Sequence, residues 1–235
     1  MLCLMLIVFI LDSTWLAYHF NYGQWIANVL TLLYFLWMYQ FANKRIKQTM
    51  KYAVVIAIVG EAFLCLLLGM YEYRLENIPI YVPLGHAILY TTVWYLTHDP
   101  WIVKQQTSLM WFMLGFTVLY TYLLLITDND TYGAICTFIL LTLLVLDPKS
   151  RRFFLIMFIA VAYLEQLGTF FECWYWHPTL LNKPNWINSG NPPSGISLGY
   201  YILDILCLGV YLVRHRKTNK RWKNRRYKSP RLRKT

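Results

Sequence analysis

Charge is what this sequence has least of. Only 14% of its 235 residues are Asp, Glu, Lys or Arg, against about 25% in an ordinary soluble domain. So few charges cannot cover the surface of a 28.0 kDa soluble particle. With 58% hydrophobic residues, the chain is neither a single soluble core nor a disordered segment. A Cys-x-x-Cys spacing is also missing, and four of the five cysteines, Cys3, Cys65, Cys136 and Cys207, fall inside apolar runs while Cys173 lies just beyond one. Neither a disulfide framework nor a zinc site is indicated, and no cofactor is implied. The sequence lacks a P-loop, a G-x-S-x-G and an H-E-x-x-H, which disfavours nucleotide-driven pumps and the commoner membrane hydrolases. It shows neither an internal repeat nor the alternating pattern of barrel strands.

What the sequence does have is a series of long apolar runs, each near the roughly 17–25 residues needed to cross about 30 Å of hydrocarbon. Eight spans are expected, at about 2–18, 24–42, 52–70, 82–97, 108–126, 132–146, 153–171 and 196–213. The first has no basic flank and no small-residue cleavage site, so it reads as a retained helix rather than a signal peptide. The fold class is therefore all-α: a polytopic helical membrane bundle over 1–213, followed by a basic tail over 214–235. The charges support the count. With eight spans, 20 of the 22 Lys and Arg residues fall on one side, and only Arg74 and Lys183 on the other. The positive-inside rule makes the crowded side cytoplasmic and puts both termini there. The expected location is a cell membrane of the bacterial inner type, crossed several times.

The tail from Arg214 onward holds 12 of these basic residues. Abutting a membrane helix, it reads as a solvated, disordered topology anchor that meets anionic lipid headgroups. No nucleic-acid partner is expected, because no fold presents the charges to one. The bilayer itself is the main partner. The Asn129-Asp130-Thr131 triplet matches a glycosylation sequon, a pattern that also arises often by chance.

In so apolar a chain, ionisable residues within spans are functional candidates, since each costs at least about 2.5–3.5 kcal/mol to insert. They are Asp12, Glu61, His86, Glu165 and Asp204, with Glu72, Glu172 and His177 just past the outer ends of their spans. Asp12, followed by Ser13 and Thr14, reads as a partner for a neighbouring helix. His86, behind Pro83 and Gly85, suits a helix start at the interface as well as a site. Asp204 is open between function and pairing with Tyr200 or Tyr201. Glu61 and Glu165 have no adjacent partner and are the strongest candidates. Glu61 and Glu72 are eleven residues apart, which on a continuous helix leaves only about 20° between them. Glu165 and Glu172, seven apart, would likewise share a face, with Gly168 near it to admit a close neighbour or ligand. Stacked carboxylates raise one another's pKa, which suits general acid–base chemistry or a proton relay.

Two outer loops stand out, Tyr71 to His86 and Glu172 to Gly195. Trp174, Trp176 and Trp186 fit an interfacial aromatic belt. Pro178, Pro184, Pro192 and Pro193 favour an ordered path, so the second loop is expected to form a lid over an outer cavity.

The stretch GEAFLCLLLGMYEYR, Gly60 to Arg74, followed by IPIYVPLGH, Ile78 to His86, resembles the first signature of bacterial carotenoid-biosynthesis membrane proteins, the acyclic carotenoid hydratase-like family. Glu165, Gly168, Trp174 and Trp176, with the NPPSG loop behind them, resemble its second signature. The resemblance implies a lipophilic polyene or isoprenoid substrate and water addition by carboxylate acid catalysis. It assigns Glu61, Tyr71, Tyr73, Glu165, Trp174 and Trp176 to the site. Protonating an alkene needs a strong acid and stabilisation of a carbocation, which aromatic faces provide.

Three functions are compatible with these residues. The leading one is an enzyme acting on a lipid-soluble isoprenoid-like small molecule. Its candidate catalytic residues are Glu61, Glu165, Glu172 and His86, with Tyr71, Tyr73, Trp174, Trp176 and Asp204 binding substrate. The others are a small proton-coupled transporter and a non-catalytic accessory protein.

Overall fold

The computed structural model describes residues 1–215, so the basic tail beyond His215 lies outside the described residues. The described residues are mostly helical, 73%. Its helices are α1 (Leu2–Leu11), α2 (Thr14–Ala17), α3 (Gly23–Phe41), α4 (Lys44–Glu61), α5 (Tyr81–Thr97), α6 (Pro100–Lys104), α7 (Gln106–Thr127), α8 (Thr131–Leu146), α9 (Arg151–Phe170) and α10 (Ser197–Arg214). Each expected apolar run contains a helix. Among the described residues four helical stretches are long and apolar enough to cross a membrane: Lys44–Leu67, Gln106–Thr127, Arg151–Phe170 and Ser197–Arg214. The 16 residues of α8 extend about 24 Å at 1.5 Å per residue, short of the hydrocarbon thickness. Helix α3 has the length, but its buried Gln24, Asn28 and Thr31 dilute its apolar character.

Capping explains several boundaries. Asn43 accepts from the backbone N–H groups of Arg45 and Ile46, both at 3.0 Å, which starts α4 well before the apolar run begins at 52. Asp99 caps α6 in the same way, with Pro100 at the first helical position. The first expected span, 2–18, is broken. Helix α1 stops at Leu11, and Ser13 turns the chain by bonding back to Ile10 O at 2.7 Å and capping α2 through Leu16 N at 3.0 Å. Asp12, at that break, is fully buried. Its carboxylate accepts from Arg74 Nη2 and Tyr81 OH, each at 2.6 Å. The position between helices expected for Asp12 is thus where it sits.

Helix α9 is the centre of the bundle. Over its most apolar 18 residues 56% are buried, against 17% for the other three long helices. Their remaining surface is apolar and outward-facing, with Val59, Leu67, Phe112 and Val213 exposed, an exterior suited to lipid. One core of Met113, Leu140, Leu144, Phe154 and Phe158 joins α7, α8 and α9. A larger one runs from Phe9 through Leu89, Val93, Met157 and Val161 to Trp174. Helix α4 packs on α5 and α10, and α3 on α5 and α1.

Two short strands, β1 (Tyr71–Tyr73) and β2 (Trp174–Trp176), pair antiparallel, with Tyr71 opposite Trp176 and Tyr73 opposite Trp174. They link the ends of α4 and α9, about 100 residues apart in sequence. On both strands the outer two residues are buried and the middle one exposed, the period-2 alternation of a half-buried strand.

Candidate functional site

The site begins where α4 loses its regular winding. After Glu61 the chain runs as a π-helix over Ala62–Leu67, a wider winding found mostly at functional positions. Gly69, at φ +57, then reverses the chain, a left-handed conformation in which a side chain would be strained. This turn sends β1 back across the end of α4. The alternation of β1 aims Tyr71 and Tyr73 inward at the carboxylate they follow in sequence. Tyr71 OH donates to Glu61 Oε2, and Tyr73 OH donates to the same oxygen at 2.6 Å. His86, one turn into α5, places Nε2 2.9 Å from Glu61 Oε1. Burial, reinforced by the Glu61 charge, pushes both phenols well above the usual tyrosine range, so they remain donors.

Glu165 on α9 has a matching set of partners from β2. Trp174 Nε1 and Trp176 Nε1 donate to its Oε2 at 3.0 and 3.1 Å, and Tyr200 OH on α10 donates to Oε1 at 3.0 Å. The two carboxylates therefore share one pattern. In each, Oε2 receives two donors and Oε1 only one. Since a carboxylate oxygen accepts two hydrogen bonds, each acid keeps one free acceptor position on Oε1.

Both acids line a single cavity with about 880 Å³ of empty space, its open mouth included. Its walls are otherwise mainly apolar and aromatic: Phe9, Tyr81, Trp174, Trp176, Leu164 and Leu203 among them. The rings pack against one another around the acids, with Phe9 edge to face on Trp174 at 5.2 Å and 82° and Tyr71 tilted on Trp176 at 4.4 Å. Such packing fixes ring orientation. Tyr200 also stacks on His86, 4.5 Å away and 29° from parallel.

Seven of the expected site residues, Glu61, His86, Glu165, Tyr71, Tyr73, Trp174 and Trp176, meet here. Three expectations need correction. Glu172 is exposed and lies outside the cavity, accepting from Thr14 Oγ1 at 2.5 Å. Helix α9 ends before it, and Glu172 sits at φ +55, so the shared face with Glu165 does not exist. Glu72 points outward from β1, pairing with His177 Nε2 at 3.2 Å, because the helix assumed for the Glu61–Glu72 stack ends at Leu67. Asp204 does not line the large cavity but a smaller one behind it. Its expected partners are engaged elsewhere, Tyr200 with Glu165 and Tyr201 against Phe154 at 3.8 Å.

The second loop is ordered through Asp130, which in the sequence stands out only as the middle residue of the sequon. Asp130 is fully buried at the start of α8. It accepts from Gly133 N and Gly190 N at 2.9 Å and from Ser194 N at 2.6 Å. Its position just before an apolar run was the available signal, that of a helix N-cap. Asn191 Oδ1 accepts from Trp176 N at 3.0 Å, which ties the same loop to β2. Among the described residues no group of three His, Cys, Asp or Glu side chains gathers as a metal site.

No protein-family model, curated protein or solved structure matches this chain.

Proposed function

We propose that this chain is a multi-pass membrane enzyme that adds water to a lipid-soluble isoprenoid or polyene substrate, with Glu61 and Glu165 as its working acids. In this reading the eight helices that occupy the apolar runs all reside in the bilayer, with both termini on the cytoplasmic side. The observation that carries it is the convergence of two buried, separately hydrogen-bonded carboxylates on one aromatic-walled cavity. A soluble polar substrate would leave those apolar walls in water. A long apolar one fills them and brings a double bond to the carboxyl groups.

The roles follow from the partners. Glu61 shares a proton with His86 across the 2.9 Å contact and is the acid that protonates the alkene carbon. The cation formed lies among the faces of Tyr71, Tyr73, Trp174 and Trp176, whose quadrupoles favour positive charge. Glu165 has only neutral donors and serves as the anion beside that cation. It takes the proton from the water that adds, so one proton leaves Glu61, one reaches Glu165, and the alkene becomes an alcohol.

The test is extraction and mass spectrometry of pigments and lipids from cells with and without this gene. The expected result is a polyene or isoprenoid species whose hydrated form appears only with the gene. Glu61→Gln and Glu165→Gln each abolish it while the protein still inserts in membranes. An unchanged lipid profile, or full activity in both variants, would sink the proposal.

A further inference from the structure

A smaller cavity lies behind the first, between α4, α5, α9 and α10, lined by Ala53, Ala57, His86, Met157, Tyr200 and Asp204 among others. It has about 290 Å³ of empty space, its open side included, enough to hold a water molecule, whose share of liquid volume is about 30 Å³. His86, Tyr200 and Leu203 line both cavities, and so stand as the wall between them. On the far side of that wall Asp204 Oδ2 is buried with no hydrogen-bond partner among the described residues. An orphaned carboxyl oxygen in an apolar site is costly, and a functional role is the usual reason for keeping one.

The surroundings of Asp204 narrow what that role is. Helix α4 faces the cavity with Ala53, Ile56 and Ala57, and α9 with Met157. Helix α5 brings His86, with Tyr90 also nearby, and α10 itself brings Tyr200 and Cys207. His86 is thus the basic side chain that faces Asp204 across this space. Its Nε2 is committed to Glu61, while Nδ1 has no protein partner among the described residues.

We infer that Asp204 and His86 form a proton relay that reloads Glu61 from behind the substrate cavity, an inference that rests on the acid role given to Glu61 above. The neutral Asp204 carboxyl passes its proton, through one water in the small cavity, to His86 Nδ1. The proton on His86 Nε2 moves to the Glu61 carboxylate. Asp204 ends ionised, Glu61 ends protonated and His86 ends neutral in its other tautomer; no bond between heavy atoms changes. The starting tautomer returns when Nδ1 gives up its proton to water and Nε2 takes one from water, and Asp204 recovers a proton from bulk water. Asp204 acts through His86 and does not touch substrate, which makes it a positioning residue for the proton rather than a catalytic one.

The relay is tested on the full chain in lipid nanodiscs, with 15N-labelled histidine, by the rate at which the His86 ring proton exchanges with bulk water. Loss of its signal in His86→Gln assigns it. Asp204→Asn is expected to slow the exchange about tenfold or more, a barrier increment of about 1.4 kcal/mol. Ala57→Val retains every ionisable group and only fills the small cavity, and it is expected to slow exchange as well. Wild-type exchange in a folded Asp204→Asn protein overturns the relay. If that variant does not fold, wild-type exchange in Ala57→Val overturns it. The readout uses no substrate, so a relay without hydratase activity, or the reverse, is seen as such.

Discussion

Gly168 lies directly under the indole of Trp174, so close that a Cβ at position 168 would overlap the ring carbons. The glycine was expected to admit a close neighbour; the neighbour is the ring whose Nε1 holds Glu165. Gly168→Ala should therefore push Trp174 off its carboxylate. Overpacking of this kind costs about 1–3 kcal/mol. The expected outcome is a lower thermal midpoint in detergent, with a change in Trp fluorescence that Gly85→Ala, where a Cβ meets nothing, does not produce.

The two glutamates of α9 and its end should separate cleanly. Glu165→Gln turns one oxygen of a triply hydrogen-bonded acceptor into a donor facing other donors, and product formation should disappear. Glu172→Gln alters an exposed side chain whose partner is Thr14, and product formation should stay within about twofold of wild type, the scale of ordinary surface substitutions. Turnover of both variants in the same membranes checks the contrast. Equal losses would return Glu172 to the site.

Tyr200→Phe tests the third donor to Glu165 while keeping the ring that stacks on His86. A hydrogen bond to a charged group is worth about 1.5–3 kcal/mol, so the rate should drop about ten- to a hundredfold. Insertion and unfolding temperature should change little by comparison. An unchanged rate would remove Tyr200 from the machinery.

Asp130 makes a prediction about order rather than chemistry. Asp130→Ala leaves three backbone N–H groups buried without an acceptor, at about 1–3 kcal/mol each. Protease should then cut the loop between Pro178 and Pro193 much faster than in wild type. Asp130→Asn should be intermediate, since its amide oxygen still accepts while its NH2 opposes one of the N–H groups.

Alkaline pH should weaken the fold through Tyr71 and Tyr73. Their phenols titrate well above the usual range when folded, and near about pH 10 when unfolded. Above that pH the unfolded chain binds fewer protons than the native one, so stability is fully present below about pH 10 and falls as pH rises further. Unfolding midpoints at pH 8 and 11 measure the loss, and it should be smaller in Tyr73→Phe.

The helices and the two buried glutamates of the cavity were legible because each rests on a local signal: an apolar run for the first, an expensive charge inside one for the second. What failed was extrapolation of helical geometry past the point where the helix stops being regular. The 100° step that paired Glu61 with Glu72 has no meaning across a π turn and a left-handed Gly69. Likewise Glu172 lies beyond the end of α9. The break after α1 was hidden because Leu2–Ala17 is largely apolar on either side of Asp12; Ser13 makes the turn, and the partner that holds Asp12 there, Arg74, is 62 positions away. The pairing of Tyr-x-Tyr with Trp-x-Trp is also non-local. Each motif shows period-2 alternation, but nothing in a single sequence says that strands of three residues find each other across the bundle. Tyr200 and Asp130 took their roles from the same distant contacts.

The small sheet also acts as a ruler. Two of the donors to Glu61 hang from one strand and two of those to Glu165 from the other, so the distance between these two sets is governed by the spacing of paired strands, about 4.8 Å, rather than by how two helices lean together. A ruler of this kind reads only in whole steps. Slipping either strand by one residue would turn both of its rings outward and leave one acid without two partners. Insertion of a single residue into Tyr71–Tyr73 or Trp174–Trp176 should therefore be far more damaging than any conservative exchange within them.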